Sequence, residues 1–204
     1  MRSTLLCIGL FVSLLGVWGC GVDTDRTQAT GATTTVEKSK VNEDSDSHVT
    51  AAKAALSAGD YNKAVQEATA SIAAHAGNAE AYSVRGMAEA LQGDTDKGLQ
   101  DTRKAYDLDS DNVANYYNMA MVYKLQGRLN ESKEWFERVL EKDPRNTWSV
   151  YGIATIYADQ GNDVKALDWL EQAIKIDPSV KAVAAEQDHF MKYHGQPRFE
   201  ALIK

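Results

Sequence analysis

The sequence predicts an all-α chain, most of it a solenoid of stacked helical hairpins. Three observations carry this reading. A 34-residue pattern recurs in four contiguous copies, 45–78, 79–112, 113–146 and 147–180, with no insertion or deletion. Within a copy, two short runs repeat at helical spacing: Tyr116, Met119, Ala120 and Tyr123, then Leu129, Ser132, Phe136, Val139 and Leu140. A glycine separates the two runs in every copy, as Gly59, Gly93, Gly127 and Gly161. Glycine takes the left-handed conformation that ends a helix without Cβ strain.

The first twenty residues read as a targeting segment rather than fold. Arg2 supplies a positive start and Leu5 to Val17 an apolar run, shorter than the ~20 residues a spanning helix needs. The chain has two cysteines, Cys7 inside this run and Cys20 at its end, so the later segments have neither a disulfide nor a cysteine metal site. Residues 21–44 are rich in Thr, Ser, Ala, Asp and Glu. Such a stretch buries too little apolar surface to offset its ordering entropy, so a disordered linker is expected there. As a flexible coil it spans roughly 25–30 Å.

The four copies follow. A small residue recurs in the first helix (Ala52, Gly86, Ala120, Ala154) and another in the second (Ala64, Gly98, Ser132, Ala166). Large side chains there push the helices apart, so the size limit implies close helix–helix approach. Pro144 and Pro178 close copies three and four, because proline cannot continue a helix. After Val180 the pattern stops. Residues 181–194 read as a helix whose buried stripe holds Val183, Phe190 and Tyr193, and Gly195-Gln196-Pro197 breaks it. A short amphipathic turn ends the chain, and the resemblance of its ending, GQPRFEALI, to a tail often found after such repeats implies that Phe199 and Leu202 fold back. Residues 181–204 form the cap that a repeat array requires, since its last unit has no neighbour.

Charge narrows the function. The chain carries −7, and −6 falls on the repeats and tail once +1 in the first twenty residues and −2 in the linker are set aside. Nucleic acid is therefore not an expected partner, because binding it takes clustered cations to replace counterions on phosphate. No cofactor, metal site or catalytic constellation is expected. His189 and His194 are too far apart around a helix to share a ligand face. Asp107, Asp109 and Asp111 alternate as in a calcium loop, but Asn112 and Asn118 stand where that loop needs glycine and glutamate. A turn and helix cap is the reading of that string.

These copies resemble the tetratricopeptide repeat in length and in helix-turn-helix form. Tyr123 and Tyr157 sit at the family's tyrosine position, Phe136 and Leu170 at its phenylalanine position, and Pro144 and Pro178 at its closing proline. Copies one and two depart from it, with Ala55 and Glu89, Ala68 and Thr102, and Ala76 and Ser110 at those places. Looser packing is expected of them. The resemblance implies a concave groove lined by the first helix of each copy. Carried over by position, it includes Lys53, Met87, Leu91, Tyr117, Met121, Lys124, Trp148, Tyr151 and Thr155. Chaperone-binding members grip a terminal carboxylate with basic and amide residues. The matching places here are Val49, Lys53, Val84, Tyr117 and Met121, of which only Lys53 is basic. The groove offers instead a mixed patch of Tyr117, Met121, Trp148 and Tyr151, of the kind enriched where proteins grip one another.

A second resemblance lies at the start of the chain. Val17-Trp18-Gly19-Cys20 is similar to a bacterial lipobox, with Trp18 a departure from the pattern. The resemblance implies acylation of Cys20 by fatty chains such as palmitate, and a place on the periplasmic face of a bacterial envelope membrane, the outer membrane included. An ordinary secretory signal and an uncleaved anchor are the alternatives. The function implied is a lipid-anchored envelope scaffold, similar to the tetratricopeptide lipoproteins that help build pilus secretins or gather cell-wall hydrolases, and not an enzyme. A permanent structural subunit of such an assembly is the alternative.

Overall fold

The computed structural model describes the backbone from Asp25 to Lys204 and side chains from Lys40 onward. The targeting segment and Cys20 lie outside the described residues. Residues 39–204 make one compact unit.

The repeat period becomes helices of near-constant length. After α1 (Asp25–Ser57) come α2 (Tyr61–Ala74), α3 (Ala79–Leu91), α4 (Thr95–Leu108), α5 (Val113–Leu125), α6 (Leu129–Lys142), α7 (Thr147–Asp159) and α8 (Asp163–Ile176). The repeat glycines all adopt positive φ, between 73° and 99°. The hairpins α3–α4, α5–α6 and α7–α8 pack in sequence order, each against the next. No helix among the described residues is long and apolar enough to cross a membrane.

Caps set the register. Asn78, Asn112 and Asn146 precede the first helix of copies two to four, and each side chain accepts a backbone N–H of the first turn, from Ala81, Ala114 and Ser149 respectively. Asp60, Asp94 and Asn162 cap α2, α4 and α8 in the same way. Asp109 and Asn112 are thus the C-cap of α4 and the N-cap of α5, the turn expected of the aspartate string.

Three expectations are corrected. The stretch 25–44, expected as linker, belongs to α1. Once the first copy's helix is nucleated, each residue added upstream gains a backbone hydrogen bond, and no proline interrupts the run. Copy two is also not loose. Gly86 and Gly98 let α3 and α4 approach until a Cβ on Gly86 would lie 2.7 Å from the Gly98 carbonyl oxygen. The terminal helix is split: α9 (Val180–Glu186) stops at Gln187, a 3₁₀ turn spans Asp188–Tyr193, and α10 (Pro197–Ile203) follows. Phe190, Tyr193 and Phe199 are nevertheless fully buried, against Val150, Leu167 and Leu170. The cap therefore forms from the expected side chains on a different backbone.

Candidate functional site

The first helices present three clefts that run into one another. The first, about 550 Å³, is lined by Asp46, His75, Gly77, Asn78, Ala79, Glu80, Leu108, Asp109 and Asn112. The second, about 330 Å³, holds Lys53, Leu56, Ser57, Glu80, Ser83, Val84, Asn112, Ala114, Asn115 and Asn118. The third, about 440 Å³, is formed by Val113, Ala114, Tyr117, Asp143, Asn146 and Trp148. Glu80 and Asn112 belong to the first two and Ala114 to the last two, so the clefts join into one trough. It links the N-terminal ends of the later first helices, where the capping asparagines and inter-repeat corners sit, to Lys53, Leu56 and Ser57 at the C-terminal end of α1.

The middle of the trough is polar and fixed. Asn118 donates to Ser83 Oγ at 2.7 Å, tying α5 to α3. Buried Asn115 donates to the Asp109 and Ala105 carbonyls at 2.7 and 3.2 Å and closes the α4–α5 corner. Lys53 Nζ meets Glu80 Oε1 at 2.6 Å. The third cleft is apolar. Trp148 is 45% exposed and stands edge-on to Tyr151, with ring centroids 5.8 Å apart. Tyr117 packs edge-on to Phe136 at 5.6 Å, and burial raises its phenol pKa.

Of the residues expected to line the groove, Lys53, Tyr117 and Trp148 line the trough. Met121 is half-buried beside Phe136 and Ile153. Leu91 is exposed, but at the opposite, C-terminal end of α3. Met87, Tyr151 and Thr155 are corrected: they are 7%, 9% and 1% exposed and offer a partner almost nothing. The α7 residues are covered by the chain's own 3₁₀ turn. Phe190 packs on Tyr151 at 5.7 Å, and His189 Nδ1 lies 2.6 Å from Asp159 Oδ1. Lys192 donates to the Ala158 carbonyl at 2.8 Å. Thr155 donates to the Gly152 carbonyl and accepts from Lys124 Nζ at 2.5 Å. Burial pushes the Lys124 pKa down, with Asp159 opposing. Lys124 is thus a half-buried strut between α5, α7 and the 3₁₀ turn rather than a groove cation. The Tyr151 hydroxyl is buried without a partner, and desolvation raises its pKa to about 12.

Val113, Asn112, Asn118 and Asp143 line the trough and escaped the carry-over. The signal for two of them stood in the sequence: asparagine recurs at the last place of the copy as Asn78, Asn112 and Asn146, and aspartate at the corner as Asp109, Asp143 and Asp177. A larger hollow of about 630 Å³ flanks α3 and α4 and includes Arg85, Asp101 and Arg103. Both of its arginines are already engaged. Arg85 grips Asp101 through Nε and Nη2 at 2.5 and 3.1 Å, which raises the arginine pKa further. Arg103 donates to the Tyr123 hydroxyl at 2.9 Å. That hollow is less suited to a partner than the trough.

Comparison with known proteins follows the fold. Two family models, both described as tetratricopeptide repeat, match residues 49–113 and 111–179. No curated protein matches the chain. Among solved structures, the Arabidopsis OM64 TPR domain is 25% identical and covers 57% of this chain and 96% of its own, with TM-score 0.53. PilF of Pseudomonas aeruginosa is 15% identical and superposes with TM-score 0.67 over 80% of this chain and 75% of its own. YrrB, described as a TPR protein with an unusual peptide-binding site, is 15% identical with TM-score 0.55, covering 83% and 87%. With tetratricopeptide models spanning residues 49–179 and helical hairpins stacked in the same phase, the chain belongs to the tetratricopeptide-repeat family.

Proposed function

We propose that this protein is a lipid-anchored adaptor of a bacterial cell envelope that holds segments of partner proteins in its trough and catalyses no reaction. The observation that carries the binding half is the third cleft. A tryptophan 45% exposed on a helix N-terminus, beside Ala114 and Tyr117, leaves apolar area that a partner side chain would cover. Asn112 and Asn118 supply amide groups next to it, suited to holding a peptide backbone rather than moving protons. The fold shared with YrrB, whose description names a peptide-binding site, supports the same reading. The anchor rests on sequence: Arg2, the apolar run from Leu5 and the Val17–Cys20 motif. Acylation of Cys20 with more than one chain would hold the protein stably on a membrane, since each buried CH₂ contributes about 0.8 kcal/mol.

Two experiments test the halves separately. Metabolic labelling with a palmitate analogue should mark the wild type and leave Cys20→Ala unlabelled; a labelled variant overturns the anchor. Trp148→Ala combined with Tyr117→Ala should abolish recovery of cross-linked envelope partners while circular dichroism stays unchanged. Unaltered recovery overturns the site.

A further inference from the structure

The trough has a polarity. Its lining carries four carboxylates, Asp46, Glu80, Asp109 and Asp143, against one ammonium, that of Lys53. Lys53 is engaged by Glu80 at 2.6 Å. Asp46, Asp109 and Asp143 have no basic side chain within ion-pair distance among the described residues. The oxygens of Asp143 take only neutral donors, the Arg145 backbone N–H and the Asn146 amide, each at 3.2 Å. Its charge is therefore oriented but not compensated.

The apolar groups are interleaved with these carboxylates. Asp109 and Asp143 occupy the same place in successive copies, so they recur at neighbouring corners of the array. Leu108, 38% exposed, adjoins Asp109 in the first cleft. Trp148 and Tyr117 share the third cleft with Asp143. Each of these corners thus pairs an uncompensated carboxylate with an apolar side chain that a partner can reach.

We propose that the trough is specific for a basic segment of a partner protein, one in which lysine or arginine alternates with large apolar residues, the apolar anchor seated between Tyr117 and Trp148. This rests on the trough being the binding site, and it adds the chemistry of what is bound. The two kinds of group have different tasks. Charges in water attract only weakly at contact and are screened within about 8 Å at physiological salt. The carboxylates therefore select and steer, whereas burial of the apolar anchor holds the segment. An acidic segment meets uncompensated carboxylates at both ends of the trough and is rejected.

The test uses the full-length chain and three fluorescein-labelled synthetic peptides read by anisotropy: one alternating lysine with leucine, one alternating glutamate with leucine, and one alternating lysine with serine. The lysine–leucine peptide should bind at least about tenfold more tightly than either other peptide, and its affinity should fall as salt rises. Asp109→Asn with Asp143→Asn keeps the size of the corner side chains and removes their charge, at the loss of one of the two hydrogen bonds that Asp143 accepts. That double variant should weaken lysine–leucine binding about tenfold and flatten its salt dependence. Trp148→Ala should weaken binding without changing the salt dependence. Equal binding of the glutamate–leucine peptide, unchanged behaviour of the double asparagine variant, or absence of binding by all three peptides overturns the proposal. If Trp148→Ala weakens every peptide while the asparagine variant changes nothing, the polarity fails and the trough survives as the site. If Trp148→Ala changes nothing, the site itself fails.

Discussion

Copies two and four share a period, a turn glycine and a pair of capping residues, yet they are held together by different means. In copy four and its cap the core is large and aromatic, with Ile153, Ile156, Leu170, Phe190, Tyr193 and Phe199 all fully buried. In copy two the corresponding space closes by backbone approach at Gly86 and Gly98, and by a bidentate ion pair between Arg85 and Asp101. Thr102, at the place of Phe136 and Leu170, turns its hydroxyl back to the Gly98 carbonyl at 2.9 Å, and Met119 of the next copy comes against it. The lesson is that the small positions set the hairpin. The large positions are exchangeable, provided backbone or a neighbour moves into the space.

The largest expected effect lies at the junction between the two regimes. Phe136 is fully buried, and its ring fills the place where a side chain on Gly152 would be, with a Cβ only 2.6 Å from Cζ. Phe136→Ala should cost about 3–5 kcal/mol in chemical denaturation. Thr102→Val, at the same place in copy two, should cost far less. Equal losses would show that the two copies are packed alike.

Next comes the glycine pair. Gly86→Ala places a Cβ against backbone, which yields less readily than a side chain, and should cost about 1–3 kcal/mol. The reverse exchange in copy three, Ala120→Gly, should cost ~1 kcal/mol from helix propensity and lost contact. A neutral Gly86→Ala would mean that α3 and α4 do not approach as described.

Smaller still is Tyr151→Phe, because the hydroxyl lost has no partner. Stability at neutral pH should be unchanged or slightly higher. The alkaline limb widens the difference in the same direction. A phenol raised from 10.0 to about 12 stabilises the fold fully below pH 10, and that contribution disappears as pH rises through the folded value. Unfolding curves of the wild type should therefore weaken between those values more than those of Tyr151→Phe.

The smallest effect is at Glu89, which stands at the family's tyrosine position in copy two. One of its carboxylate oxygens is buried without a partner, and desolvation followed by Asp101 raises its pKa. A raised carboxyl favours the fold only while protonated, so at neutral pH the charge opposes it. Glu89→Gln should give a small rise in melting temperature at neutral pH that vanishes toward acid.

Much of this was legible in the residues. The 34-residue phase, the turn glycines, the asparagine caps and the three aromatic cap residues are local or periodic signals, and each maps onto one element. What was not legible depends on aperiodic backbone. The break at Gln187 decides that Phe190 and His189 cover Tyr151 and Thr155, and no repeat spacing encodes it. The family's groove positions likewise place Met87 on the inner wall, whereas the structure buries it. The upstream reach of α1 was misjudged because composition reports burial and says little about a helix extended from an existing nucleus.

The central claim is that partners occupy the trough along the first helices and not the face formed by the second helices. The direct measurement is photo-crosslinking in living cells from a genetically encoded photoreactive residue, placed in turn at Ala114, where two clefts meet, and at Gln172, exposed on the second helix of copy four. Discrete adducts from Ala114 and none from Gln172 are the predicted result. Adducts from Gln172 alone, or the same adducts from both, would contradict the account.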